Sequence, residues 1–139
     1  MRIAGAEGLS GLRSFRQMVQ RRAVDIIQPD ISRAGGFTEG RRIWALAAAN
    51  HVRVIPHMFG TVVRLAATLQ WLATIPDDPV VHDPFPCYLE LDVMENGLRT
   101  DLSPTPFELE DGMMQIPDRP GLGVEIDEAA LRRFSLNKQ

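Results

Sequence analysis

Four ionisable residues stand at or just past short apolar runs: Glu7 after RIAGA, Asp30 after VDIIQP, His57 after VRVIP, and Glu90 within YLEL. A carboxylate beside an imidazole holds its tautomer and raises its basicity, which makes a general base for work near neutral pH. A further carboxyl group can serve as metal ligand or proton donor. Taken together, these residue types outline a site that abstracts a proton.

The elements that must gather them follow a strand-then-helix rhythm. Residues 2–6 form a strand candidate ending at Glu7, and Ser10 is placed to cap a helix with Leu12, Phe15, Met18 and Val19 on one face. Residues 24–28 are a near-continuous apolar run, as in strands covered on both faces; the Gly35-Gly36 turn and a helix over 38–50 follow. A third strand, 52–55, ends at Pro56-His57, and Thr61 is placed to cap a helix through Val62, Leu65, Leu69 and Leu72. The Pro- and Asp-rich link IPDDPVVHDPFP then leads to a fourth strand over 88–91. Such alternation indicates an α/β fold with βαβ units, a parallel sheet and right-handed crossovers. All four ionisable residues then fall at the C-terminal ends of successive parallel strands, the edge where α/β folds keep their chemistry.

After the fourth strand the rhythm stops. Residues 1–100 read as four β/α units, and residues 101–139 as a tail with a strand candidate at 113–116, the turn PDRPGLG and a terminal helix capped by Asp127. No low-complexity linker or charge block divides the chain.

Composition narrows the partners. The 139 residues suit one small domain, and 45% apolar residues supply a core. With 15 basic against 18 acidic residues, a net charge of −3 and no basic run, nucleic acid is not the expected partner. Nor is a membrane, because no apolar stretch reaches about 18 residues and the N-terminus lacks a signal-peptide core. The single cysteine, Cys87, makes no internal disulfide, which fits a cytoplasmic setting.

The stretch DIIQPDISRAGGFTEGRRIWALAAANHVRVIPHMFG, then YLE, then IPDRPGLGVEID, resembles the C-terminal part of the mandelate racemase branch of the enolase superfamily. The order QPD, SRAGG, PH, LE carries that resemblance. It implies the C-terminal half, strands five to eight, of a TIM-type (β/α)7β barrel, followed by the closing tail. On the same ground Glu7 stands where the family places the third ligand of an essential magnesium ion. Asp30 and His57 match the dyad in which the histidine exchanges the proton α to a carboxylate and the aspartate orients it. Glu90 matches the acid that hydrogen-bonds the substrate carboxylate as it becomes an enediolate. Asp30 also speaks against the muconate-lactonising and dipeptide-epimerising relatives, which carry a lysine there. The acid-sugar dehydratase and mandelate racemase types fit better, with a small hydroxy acid as substrate.

One departure from the family is large. Its capping domain, its first four barrel strands, the Lys-x-Lys motif and the first two metal ligands have no counterpart in the sequence. A single chain with Glu7 alone is expected to hold magnesium weakly. Its outer strands are left as open edges. It is expected either to form a homo-oligomer or to need a missing N-terminal half. Two functional classes follow: a magnesium-dependent lyase or racemase half-site with His57 as acid/base, or a non-catalytic half-barrel that keeps its strand-end residues by descent. Among the remaining residues, Arg33 reaches either a substrate carboxylate or a neighbouring acid, Met113 and Met114 read as tail packing, and His82 and Cys87 are assigned no chemistry.

Overall fold

The computed structural model describes residues 1–75 and 87–136; His82 and most of the Pro- and Asp-rich link lie outside them. The elements run β1 (Ala4–Gly5), α1 (Gly11–Gln20), β2 (Ile26–Ile27), α2 (Ile31–Ala34), α3 (Gly36–Ala49), β3 (Arg53–Val54), β4 (His57–Met58), α4 (Val62–Leu72), β5 (Glu90–Leu91), α5 (Gly97–Thr100), β6 (Leu109–Glu110), β7 (Met113–Met114) and α6 (Glu128–Phe134). Strands β1, β2 and β3 pair in parallel in that order, and β4 pairs in parallel with β5.

The two ladders share one run of chain. Pro56, which has no N–H to give, separates β3 from β4. On either side of it the bonding to β2 continues, from Ile55 N to Ile27 O (3.1 Å) and from His57 N to Pro29 O (3.2 Å). On the other flank Glu90 N donates to Pro56 O and Asp92 N to Met58 O, both at 3.0 Å. Four successive strands therefore lie side by side, each followed by helix.

Their helices cover one face. Phe15 and Val19 of α1, Ile43 and Ala47 of α3, Ile27 of β2, Ala34 and Val52 form a buried cluster. Burying each of its larger side chains stabilises the fold by roughly 1.5–3 kcal/mol. Helix α4 carries a second cluster, Met58, Leu65 and Leu69, against Leu89, Leu91, Phe107 and Met114. A third joins Val62 of α4 to Leu102 and Ala130. Residues from 101 onward thus pack on α4, and Gln70 Nε2 donates to Pro117 O at 2.9 Å.

Local details depart from the sequence reading at three places. Ser10 occupies the N-cap of α1 but makes no capping hydrogen bond with its side chain. The orphan N–H of Leu12 donates instead to Glu39 Oε2 of α3 at 2.9 Å, and Arg42 Nη1 donates to Glu39 Oε1 at 2.7 Å. The Leu12 N–H, seconded by Arg42, holds the Glu39 carboxyl below its ordinary pKa. A distant acid has replaced the local cap. The second departure is α2, a four-residue helix between Asp30 and Gly35, a stretch for which the sequence reading gave no element. Gly35, at φ +115°, ends it in the left-handed region and starts α3. The third is β4, which carries strand pairing beyond Pro56 through His57 itself. The Thr61 cap, by contrast, holds, and so does the Asp127 cap, whose carboxylate accepts from Ala129 N and Ala130 N.

Candidate active site

Strand register aligns three of the four predicted residues. Ile26 sits opposite Arg53 and Ile27 opposite Val54, and the same offset carries on to place Asp30 opposite His57. His57 is in turn the register partner of Glu90. The row reads Asp30, His57, Glu90 across neighbouring strand ends.

Each member is fixed locally. Asp30 caps α2 in extended conformation, and its Oδ1 accepts from Ser32 N (2.9 Å) and Ser32 Oγ (2.7 Å). It is fully buried. His57 Nδ1 lies 3.1 Å from Asp30 Oδ2, and the imidazole stacks on the Phe59 ring with centroids 5.0 Å apart and planes 7° from parallel. An ionised carboxylate can only accept, so in this contact the ring hydrogen belongs on Nδ1. The imidazole side chain remains 18% exposed. Glu90 accepts a hydrogen bond at Oε2 from Gln28 Nε2 of the β2 end, so it too is tied across the row.

Glu7 is set apart. The β1–β2 ladder stops where Gln28 N donates to Gly5 O at 2.8 Å, and Ala6 then turns to φ +84°. Register extrapolated from Ala4 opposite Ile26 places Gly8, one residue beyond Glu7, in line with Asp30. Glu7 is exposed and, among the described residues, makes no hydrogen bond or ion pair. No three His, Cys, Asp or Glu side chains among the described residues gather closely enough to hold a metal ion. Magnesium asks for several oxygen ligands in near-octahedral order, so the described donors do not by themselves fit it.

Sequence reasoning passed over two site residues. Gln28 is one, and Arg64 of α4 is the other: its Nε donates to Asp30 Oδ1 at 3.1 Å, its Nη2 to Asp30 Oδ2, and its Nη1 to Phe59 O. Partial burial pulls the guanidinium below its ordinary pKa, yet an arginine keeps its charge at any pH where proteins fold. A signal was available. A cation in the first turn of a helix opposes the helix dipole, and such a residue calls for an acid close by. Arg33 and Cys87 are exposed, and Asp92, just past β5, is buried in a 2.7 Å ion pair with Arg99.

Residues 1–130 match the family described as enolase C-terminal domain-like. The chain belongs to that family. Its four strand–helix units correspond to the C-terminal part of enolase-superfamily TIM barrels, as the motifs QPD, SRAGG, PH and LE imply. Among curated relatives, a D-galactarolactone cycloisomerase of Agrobacterium fabrum is 40% identical over 96% of the chain, which covers 35% of that protein. A D-galactonate dehydratase of Ralstonia pickettii is 37% identical over 91% of the chain and 33% of its own length. The 3,6-anhydro-D-galactonate cycloisomerase of Zobellia galactanivorans superposes with a TM-score of 0.83 at 33% identity, covering 96% of the chain and 36% of that structure. This enolase-family chain therefore spans about a third of the length of the relatives it matches. Those relatives are acid-sugar dehydratases and cycloisomerases by name.

Proposed function

We propose that the chain supplies the proton-transfer part of an active site that removes the hydrogen α to the carboxylate of a hydroxy acid, an acid sugar in particular. The contact between Asp30 and His57 within the strand-end row is the observation that carries this reading. Nε2 of His57 takes the proton while the C–H electron pair forms an enediolate. Asp30 offsets the positive charge that appears on the imidazole. Glu90, held at Oε2 by Gln28, serves in its carboxylic-acid form, its O–H donating to the substrate carboxylate as negative charge builds there.

Dehydration completes the reaction when the β C–O bond breaks: the hydroxyl leaves as water with the proton that His57 took, which restores the base, and the resulting enol tautomerises to a 2-keto-3-deoxy acid. Return of the proton to the α carbon from the opposite face gives racemisation instead. The D-galactonate dehydratase relative favours elimination of water.

Magnesium belongs to this proposal through Glu7 alone, with its remaining ligands outside the described donors. When bound, it would stabilise the enediolate charge. Strands β1 and β5 each have one strand neighbour among the described residues. We accordingly assign the remaining strands to an N-terminal half or a second copy of the chain. No helix among the described residues is long and apolar enough to cross a membrane, and the single cysteine supports placement in the cytoplasm. A second reading, a non-catalytic half-barrel, draws on the same lack of a metal cluster among the described residues.

Incubating the chain, supplied with an N-terminal half from a relative and with magnesium, against a panel of acid sugars separates the two. Accumulation of a keto acid, measured with a carbonyl reagent and lost in His57→Asn, is the expected outcome. No product from any member of the panel would leave the structural reading standing.

A further inference from the structure

Asp30 has to meet two demands at once. One oxygen must stay aimed at His57 Nδ1, and the whole carboxylate is fully buried, where an unmatched charge is costly. Arg64 answers both. Its Nε and Nη2 address Oδ1 and Oδ2 respectively, a fork that fixes the carboxylate plane as a single donor cannot. Its third arm, Nη1, donates to the backbone oxygen of Phe59, the residue whose ring stacks on His57. One guanidinium thus spans the acid at the end of β2 and the loop that carries the histidine.

The chain around Arg64 is shaped to keep it there. Thr61 Oγ1 accepts from Arg64 N at 3.4 Å and starts α4 at the right residue. Gly60 lies at φ +152°, and a Cβ at that position would stand 2.9 Å from Arg64 Cδ. Any larger residue would be strained and would push the guanidinium aside. The helix dipole offers Arg64 no support in this first turn, so its place is justified by its partners.

We propose that Arg64 is a positioning residue that sets the Asp30–His57 pair, holding the imidazole in its Nδ1–H tautomer with Nε2 free to accept a proton. The proposal rests on reading Asp30 and His57 as an acid/base pair. The charged groups around the imidazole are Asp30 at the α2 cap, Arg64 of α4 acting through Asp30, and Glu90 of β5 in register with it. Because the fork uses three separate N–H directions, lysine, a point charge on a flexible stem, cannot replace it.

Nitrogen-15 NMR of the histidine ring tests this without any need for turnover, so its failure is distinct from failure of the proposed reaction. The unsubstituted chain is expected to show one His57 tautomer, Nδ1 protonated, with a slowly exchanging ring N–H. In Arg64→Lys and Arg64→Met that N–H should exchange at least tenfold faster and the ring should populate both tautomers, while amide signals of α1 and α3 stay in place. Folded variants that keep a single Nδ1–H tautomer would overturn the proposal. Should both substitutions unfold the chain, the Arg64 Nε–H of the unsubstituted protein decides: a protected resonance coupled to the Asp30 carboxylate supports the fork, and a freely exchanging one rules it out.

Discussion

The strand ends of β2, β4 and β5 and the strand end of β1 began from the same sequence signal, an ionisable residue at the close of an apolar run, and ended differently. On the first side, ladder hydrogen bonds run out as far as His57, and Asp30, His57 and Glu90 each have a named partner. On the second, the ladder stops at Gly5, Ala6 turns left-handed, and Glu7 is exposed without a partner among the described residues. Side chains are organised where backbone pairing persists to the residue that carries them. Where pairing stops short, as before Glu7, the side chain is left without a partner among the described residues.

The strongest way to break this contrast is at Asp30. Asp30→Ala leaves the Arg64 guanidinium and His57 without their acceptor, and loss of one partner from a buried pair costs about 3 kcal/mol. That figure sits at the low end for such pairs because the Arg64 side chain keeps 23% exposure. A lower urea midpoint, with Asp30→Asn falling between the two, is expected.

Gly40→Ala comes next and tests the framework behind the row. A Cβ there would approach Ile31 Cδ1 and the Trp71 ring to 2.9 Å, joining α2, α3 and α4 too tightly. Alanine gains about 1 kcal/mol of helix propensity, and overpacking against a rigid indole costs about 1–3 kcal/mol. A net loss in thermal unfolding is expected.

Acid sharpens the comparison between α1 and the site. Glu39 has a folded-state pKa depressed by the Leu12 N–H and Arg42, so its stabilising contribution is present above the ordinary carboxylate range and is lost as pH falls through the folded value. Amide exchange at Leu12 should accelerate over that acidic window in the natural chain. In Glu39→Gln the same amide should be poorly protected at every pH. The smallest effect is expected from Glu7→Gln: an unchanged unfolding midpoint, because among the described residues nothing folds around that carboxylate.

Much of this was legible in the sequence because it is encoded locally. Apolar runs and caps marked β2, α4 and α6, and the motif order identified the barrel portion to which they belong. The Asp30–His57 pairing was legible too, since their separation of 27 positions matches the β2–β3 register. What stayed hidden depends on contacts across the fold. The cap of α1 comes from Glu39, 27 residues away from Leu12, and no local pattern predicts it. The first-turn position of Arg64 calls for an acid nearby, but which acid that is shows only once α4 is laid beside α2. For Glu7 the sequence places the residue near a strand end but does not show that Ala6 leaves the ladder first.

Deuterium incorporation tests the central claim most directly. With the N-terminal half supplied, magnesium present and an acid sugar in heavy water, the natural chain should introduce deuterium at the α carbon, and Glu7→Gln should weaken this through the metal. His57→Asn should abolish it while leaving the fold intact. Undiminished exchange in His57→Asn would contradict the account, because the proton would then be moving through a group other than the one the strand register brings to Asp30.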